Sequence, residues 1–133
     1  MAKLFNVATV GGGVIGGFLS FILGGWDALA KILIIFMALD YITGILGAVY
    51  RQKLSSGKGF KGIIKKACIL LTVCVGAMIQ EFLGVPVRDI VVTFFVVNEG
   101  LSIVENIGKV IALPNIIKQT LEALRGEEDK SNG

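Results

Sequence analysis

The sequence contains no histidine, two cysteines and few charged residues. Without histidine there is no Ser-His-Asp triad, no imidazole metal ligand and no imidazole pH switch. Cys68 and Cys74 both lie in one apolar run. Six residues apart on a helix, they point to different faces, so neither a disulfide framework nor a CxxC metal site is available. They read as small packing residues. Charged side chains make up 17% of the chain, against about 25% in a soluble domain. The net charge of +3 is too small to point to nucleic acid. No Walker A, HExxH or GxSxG sequence and no pair of catalytic carboxylates is present, so nothing supports an enzyme or a bound cofactor or metal.

What the chain does have is apolar surface. It is 54% hydrophobic with 18 glycines in 133 residues, and its mean hydropathy is +0.80. The length suits one domain. A globule of this size keeps much of its surface exposed and could not hide so many apolar side chains from water. Lipid is the expected solvent.

A membrane-crossing helix needs about 20 mostly apolar residues. Four windows come close: 4–25, 32–50, 67–83 and 90–113. The first is uncharged and the second carries only Asp40; the third is free of charge until Glu81. The fourth begins IVVTFFVV and becomes mixed, so its second half could instead lie along the surface. The runs are too long for strands and do not alternate. The expectation is an all-α integral membrane protein with four spans, a single membrane domain over 1–133, a basic loop at 51–66 and a tail at 114–133. The apolar run before Ala28-Leu29-Ala30 is longer than the core of a cleaved signal, so the first window is expected to remain as a span.

Lysine and arginine favour the cytoplasmic side. With the N-terminus inside, the inner segments hold Lys3, then Arg51, Lys53, Lys58, Lys61, Lys65 and Lys66, then Lys109, Lys118, Arg125 and Lys130. Only Lys31 and Arg88 fall outside. Four spans with both ends cytoplasmic fit this bias; three spans would put a basic segment on the wrong side. The six cations of 51–66 are expected to hold topology and to attract anionic lipid headgroups. Gly57-Lys58-Gly59-Phe60-Lys61-Gly62 matches GxGxxG, but a dinucleotide site needs a strand before it. The segment reads instead as a flexible turn. In the tail, Ile117, Leu121 and Leu124 form one apolar face of a short amphipathic helix. The last residues, 126–133, are polar and expected to be unstructured.

Two patterns at membrane depth carry more information. Ala8, Gly12, Gly16, Ser20 and Gly24 recur every four residues along the first window. Such small-residue ribbons let helices approach closely in lipid; the partner could belong to the same chain or to a second copy. The third window repeats the device more weakly with Cys68, Thr72, Gly76, Gln80 and Gly84. Asp40 in the second window should face protein or water, or take up a proton. In the fourth window Asn98, Ser102, Glu105, Asn106 and Lys109 make one polar stripe, with Glu99 just beside it. Glu105 and Lys109 are spaced for an i,i+4 pair. The stripe should line water or a polar helix contact.

Three blocks in order, Asp40-Tyr41-Ile42-Thr43-Gly44, SSGKGFKGIIKK at 55–66 and NEGLSIVENIG at 98–108, resemble the phage-lysis and toxin-secretion holin family. The likeness covers about residues 35–125. Members often carry an Asp near the end of the third span, where this chain has Gln80-Glu81, and a Gly-Pro-rich turn reduced here to Pro114. The resemblance implies a protein that forms homo-oligomers in the host cytoplasmic membrane and releases an endolysin or a toxin. Asp40, Asn98, Ser102, Glu105 and Asn106 would then meet across helix interfaces and line an opening. Two other readings fit the same composition: a small four-helix proton-coupled transporter using Asp40 or Glu99, and a non-conducting scaffold or antiholin.

Overall fold

The computed structural model describes the backbone of residues 1–132 and the side chains of residues 1–126. Among the described residues it is all helical: α1 (Ala2–Leu23), α2 (Ala28–Tyr50), α3 (Ser56–Leu83), α4 (Val87–Gly108) and α5 (Asn115–Asn132). The first four are long and apolar enough to cross a membrane. Short connections make successive helices antiparallel, so the C-terminal ends of α2 and α4 share one end of the bundle with the start of α3.

Local chemistry sets the boundaries. α1 ends at Gly24 in the left-handed region, φ 73°, where a side chain would be strained. The Gly25 N–H closes the turn on the Ser20 carbonyl at 2.9 Å. Asp27 caps α2, its carboxylate accepting from the Ala30 N–H at 3.0 Å. α2 ends through Gln52, which takes positive φ while the Lys53 N–H reaches the Ala48 carbonyl at 2.8 Å. Pro86 and Pro114, which have no N–H to leave unsatisfied, stand just before α4 and α5.

The buried apolar side chains are few: Leu23, Ala30, Leu33, Met37, Ile69, Val73 and Val92, with Phe95 and Val96 packed against them. α2 and α4 form the closest pair, with α3 beside α4. Glycines make that closeness possible. A Cβ on Gly100 would lie 3.2 Å from the Phe36 ring, and one on Gly76 would lie 3.4 Å from the Arg88 Cα. Large apolar side chains such as Phe5, Phe18, Phe21, Leu71, Phe82 and Ile90 point outward. That is the distribution hydrocarbon tolerates and water does not.

α1 stands apart. Residues 2–18 are exposed along their whole length, and Cβ atoms on Gly12 or Gly16 would meet nothing within 4 Å. Only the end of the ribbon packs within the chain, where Gly24 sits against Ala77 of α3.

The structure corrects four expectations. The basic segment 51–66 is not one loop, because α3 starts at Ser56. Its glycines are packing positions: Gly59 and Gly62 lie under the Tyr41 ring of α2, where a Cβ would come within 3.3 Å and 3.6 Å of it. The fourth helix stops at Gly108, and 109–113 form the turn into α5. Gly108 marks the bend, since a Cβ there would lie 2.8 Å from the Leu113 side chain. The end of the tail is not unstructured, for α5 carries the backbone to Asn132. Gly133 and the Lys130 side chain lie outside the described residues. Finally, Glu105 does not pair with Lys109; Arg125 takes its carboxylate instead.

Candidate functional site

Asp40, Lys66 and Glu99 meet between α2, α3 and α4. The Lys66 Nζ donates to Asp40 Oδ2 and to Glu99 Oε2, each at 2.7 Å. The register follows from the antiparallel α2–α3 pair. Asp40 lies about ten residues before the end of α2 and Lys66 about ten after the start of α3, roughly 15 Å along either axis. The two charges therefore reach the same depth. α4 runs parallel to α2 and brings Glu99 alongside. Glu99 is thus not beside the polar cluster but inside it. Lys66, expected at the headgroups, faces inward, because the helical start of α3 turns it towards α2 and α4. The side chains of Lys66 and Asp40 keep 17% and 16% exposure, and that of Glu99 only 6%. Two carboxylates on one ammonium satisfy its charge and most of its donors in a medium where an isolated ion would be costly.

Asn106 extends the network. Its Nδ2 reaches the Asp40 carbonyl at 3.1 Å, Asp40 Oδ1 at 3.0 Å and Thr43 Oγ1 at 3.1 Å. Thr43 can accept because its own hydroxyl donates to the Leu39 carbonyl at 2.7 Å. Small residues let an amide on α4 reach main chain on α2. A Cβ on Gly44 would sit 3.6 Å from Asn106 Nδ2, and one on Gly47 would sit 3.5 Å from the Asn106 carbonyl. Ser102 lines the cleft beside these groups. No buried side-chain donor or acceptor among the described residues is left without a partner.

The expected stripe divides in two. Glu99, Ser102 and Asn106 turn towards α2 and α3, whereas Asn98 and Glu105 meet the tail. Arg125 Nε and Nη2 donate to the two Glu105 oxygens at 2.7 and 3.2 Å, and Nη1 donates to Asn98 Oδ1 at 3.1 Å. α5 folds back so that Ile117, Leu121 and Leu124 share a groove with Leu101 and Val104 of α4.

Above the Asp40–Lys66–Glu99 cluster a cleft of about 590 Å3 opens towards the end where α2 and α4 finish and α3 begins. Its floor is Asp40, Lys66, Glu99 and Asn106; its mouth carries Arg51, Lys53, Lys58, Lys65 and Lys109. Lys61 is not among its walls. Among the described residues no group of three His, Cys, Asp or Glu side chains could hold a metal ion.

A second ion cluster lies at the opposite end. Arg88 is buried, its Nε donating to the Leu23 carbonyl at 2.8 Å. Nη1 and Nη2 hold the Asp27 carboxylate at 2.7 and 2.8 Å, and Nη1 also reaches Asp89 Oδ1 at 3.0 Å. The Arg88 guanidinium holds the Asp27 carboxyl down from 3.8 to about 2, with help from the Ala30 N–H. One arginine thereby joins the end of α1, the α1–α2 turn and the first turn of α4. Sequence reasoning missed Lys66, Arg88 and Arg125 as partners. The signal for Lys66 was its distance from the α2–α3 turn, equal to that of Asp40. For Arg88 it was a lone arginine on the side otherwise poor in positive charge.

A family model described as bacteriophage holin family matches residues 17–126. An uncharacterised protein of Listeria innocua is 35% identical over 99% of this chain and 96% of its own length. An uncharacterised 14.9 kDa protein of Clostridium perfringens, encoded in the 3′ region of nagH, is 31% identical over 96% of this chain and all (100%) of its own. A protein of Bacillus phage phi105 named probable holin is 26% identical over 74% of this chain and 76% of its own. No solved structure matches.

Proposed function

The chain belongs to the bacteriophage holin family, and on that premise we propose that this multi-pass membrane protein oligomerises in the cytoplasmic membrane of a bacterial host and permeabilises it. The released cargo is an endolysin or a toxin. Both termini and the amphipathic α5 lie in the cytoplasm, so the basic mouth of the cleft faces the cytosol, in keeping with the charge bias of the connecting segments. The role is not enzymatic.

One observation carries this reading: a polar cleft, ending on the Asp40–Lys66–Glu99–Asn106 network, set within helices whose outer surfaces are apolar. In the single chain these groups satisfy one another. Neighbouring copies can replace those internal bonds with water and with one another's polar groups, so the same side chains serve a closed protomer and a wet assembly. α1 supports self-association, because its ribbon at Gly12 and Gly16 is unengaged within the chain while its Gly24 end anchors it.

The test is expression of Asp40→Leu/Ser102→Leu in bacteria beside a cytoplasmic endolysin. Delayed or abolished depolarisation and endolysin release is expected; unchanged timing overturns the proposal. The Asp40–Lys66–Glu99 cluster also favours a second reading, proton-coupled transport. That reading predicts proton-linked uptake with no leakage of endolysin. A scaffold or antiholin would give neither uptake nor release.

A further inference from the structure

The mouth of the cleft has an unbalanced charge that the lysis reading does not use. Arg51 and Lys53 come from the α2–α3 turn, Lys58 and Lys65 from α3, and Lys109 from the end of α4. None of the five forms an ion pair among the described residues. The lining carboxylates, Asp40 and Glu99, are already occupied by Lys66. Lys109 has one long bond, 3.4 Å to Asn106 Oδ1. Two neutral donors face the same space: Ser55 caps α3 without a side-chain hydrogen bond, and the Tyr41 hydroxyl stands over Gly59 with no partner among the described residues.

We propose that this mouth is a binding site for a phosphate group, held by Lys58, Lys65 and Lys109 with Arg51, Lys53 and the Ser55 and Tyr41 hydroxyls around it. Like charges converging on a concave, low-dielectric wall focus a positive potential that a multivalent anion relieves. Phosphate suits the set better than a carboxylate, because its oxygens accept from several point-charge donors at once. Basic pockets between membrane helices are a recurrent setting for anionic headgroups. The chemistry is shared by a phospholipid headgroup and by a soluble phosphate compound. The site goes beyond diffuse attraction by a basic segment, because it enlists Lys109 from another helix and leaves out Lys61. It requires a position in the membrane but not the opening of lesions.

The experiment uses the full chain in neutral detergent, with native mass spectrometry counting bound phosphatidylglycerol against phosphatidylcholine, and inorganic pyrophosphate as competitor. Selective retention of phosphatidylglycerol is expected, falling about tenfold or more in Lys58→Gln/Lys109→Gln and unchanged in Lys61→Gln. Both positions are exposed, and helicity by circular dichroism confirms that the variants fold. If pyrophosphate displaces the lipid and shows the same dependence on the variants, a soluble phosphate compound shares the site. If it does not displace the lipid, the source is the headgroup. Equal retention of the two lipids, or equal weakening by Lys61→Gln and the double variant, overturns the site. Permeabilisation measured in parallel keeps this result separate from the lysis reading.

Discussion

Lys66 and Arg88 are both cations held by carboxylates, yet they solve the problem in different surroundings. Arg88 is 4% exposed at its side chain, but its partners Asp27 and Asp89 are 54% and 45% exposed. Water reaches the anionic half of that cluster, and the guanidinium also donates its Nε–H to the α1 backbone. Lys66 lies at depth with two carboxylates that are themselves largely covered. One cluster ties helix ends together at a wet boundary. The other stores charge between helices, where each member depends on the others. A perturbation at the end of the bundle should therefore cost little and spread little. One at mid-depth should cost much and depend on which charge is removed.

Removing the central ammonium should have the largest effect. Lys66→Met leaves Asp40 and Glu99 facing each other without a cation, and an uncompensated buried charge costs about 3–5 kcal/mol. Thermal unfolding in detergent should show a large loss, most of it recovered by adding Asp40→Asn and Glu99→Gln. Glu99→Gln alone should be nearly neutral, since it leaves one ammonium on one carboxylate. Equal losses from Lys66→Met and Glu99→Gln would mean that the cluster does not depend on its central ammonium more than on either carboxylate.

The same contrast explains what could be read from the sequence. The four long helices were legible because hydropathy over about 20 residues reflects the solvent rather than any particular contact. Asp40, Ser102 and Asn106 were legible as polar groups at apolar depth. Lys66 was hidden by its neighbours: beside Lys65 and Lys61 it looks like topology charge, and only the α2–α3 register turns it inward. Gly57, Gly59 and Gly62 look like a turn until Tyr41 is placed over two of them. Arg125 was out of reach because its pairing with Glu105 and Asn98 depends on α5 folding back at Pro114. Local pattern gives the faces of each helix. Pairings between distant segments need the direction and depth of every helix at once.

A smaller loss is expected at the wet end. Arg88→Met removes two bonds to Asp27, one to Asp89 and one to the Leu23 carbonyl. Asp27 is open to water and can be rehydrated, while the buried backbone acceptor loses its donor, so the cost should be about 1–3 kcal/mol. The change should loosen α1 before it affects the α2–α4 pair. Hydrogen exchange checks this: faster exchange confined to the end of α1 and the start of α2 is expected. Equal acceleration around Asp40 would show that the two clusters are one cooperative unit.

The smallest effect is the pH dependence that Asp27 contributes. Its carboxyl titrates at about 2 in the folded chain, below the ordinary 3.8, chiefly through its bonds to Arg88. A depressed carboxyl stabilises the folded state in full above the unfolded value, and that stabilisation declines as pH falls from 3.8 towards 2. Exposure and salt screening keep it modest. Asp27→Asn retains a capping oxygen for the Ala30 N–H and deletes the charge, so comparison with the parent chain isolates this contribution from the other carboxylates. The advantage of the parent chain in thermal unfolding should be present at pH 7, shrink by pH 2 and weaken in high salt. An advantage that stays constant between pH 7 and pH 2 would assign the stabilising role of Asp27 to its cap alone, and the wet cluster would then be held by geometry rather than by charge.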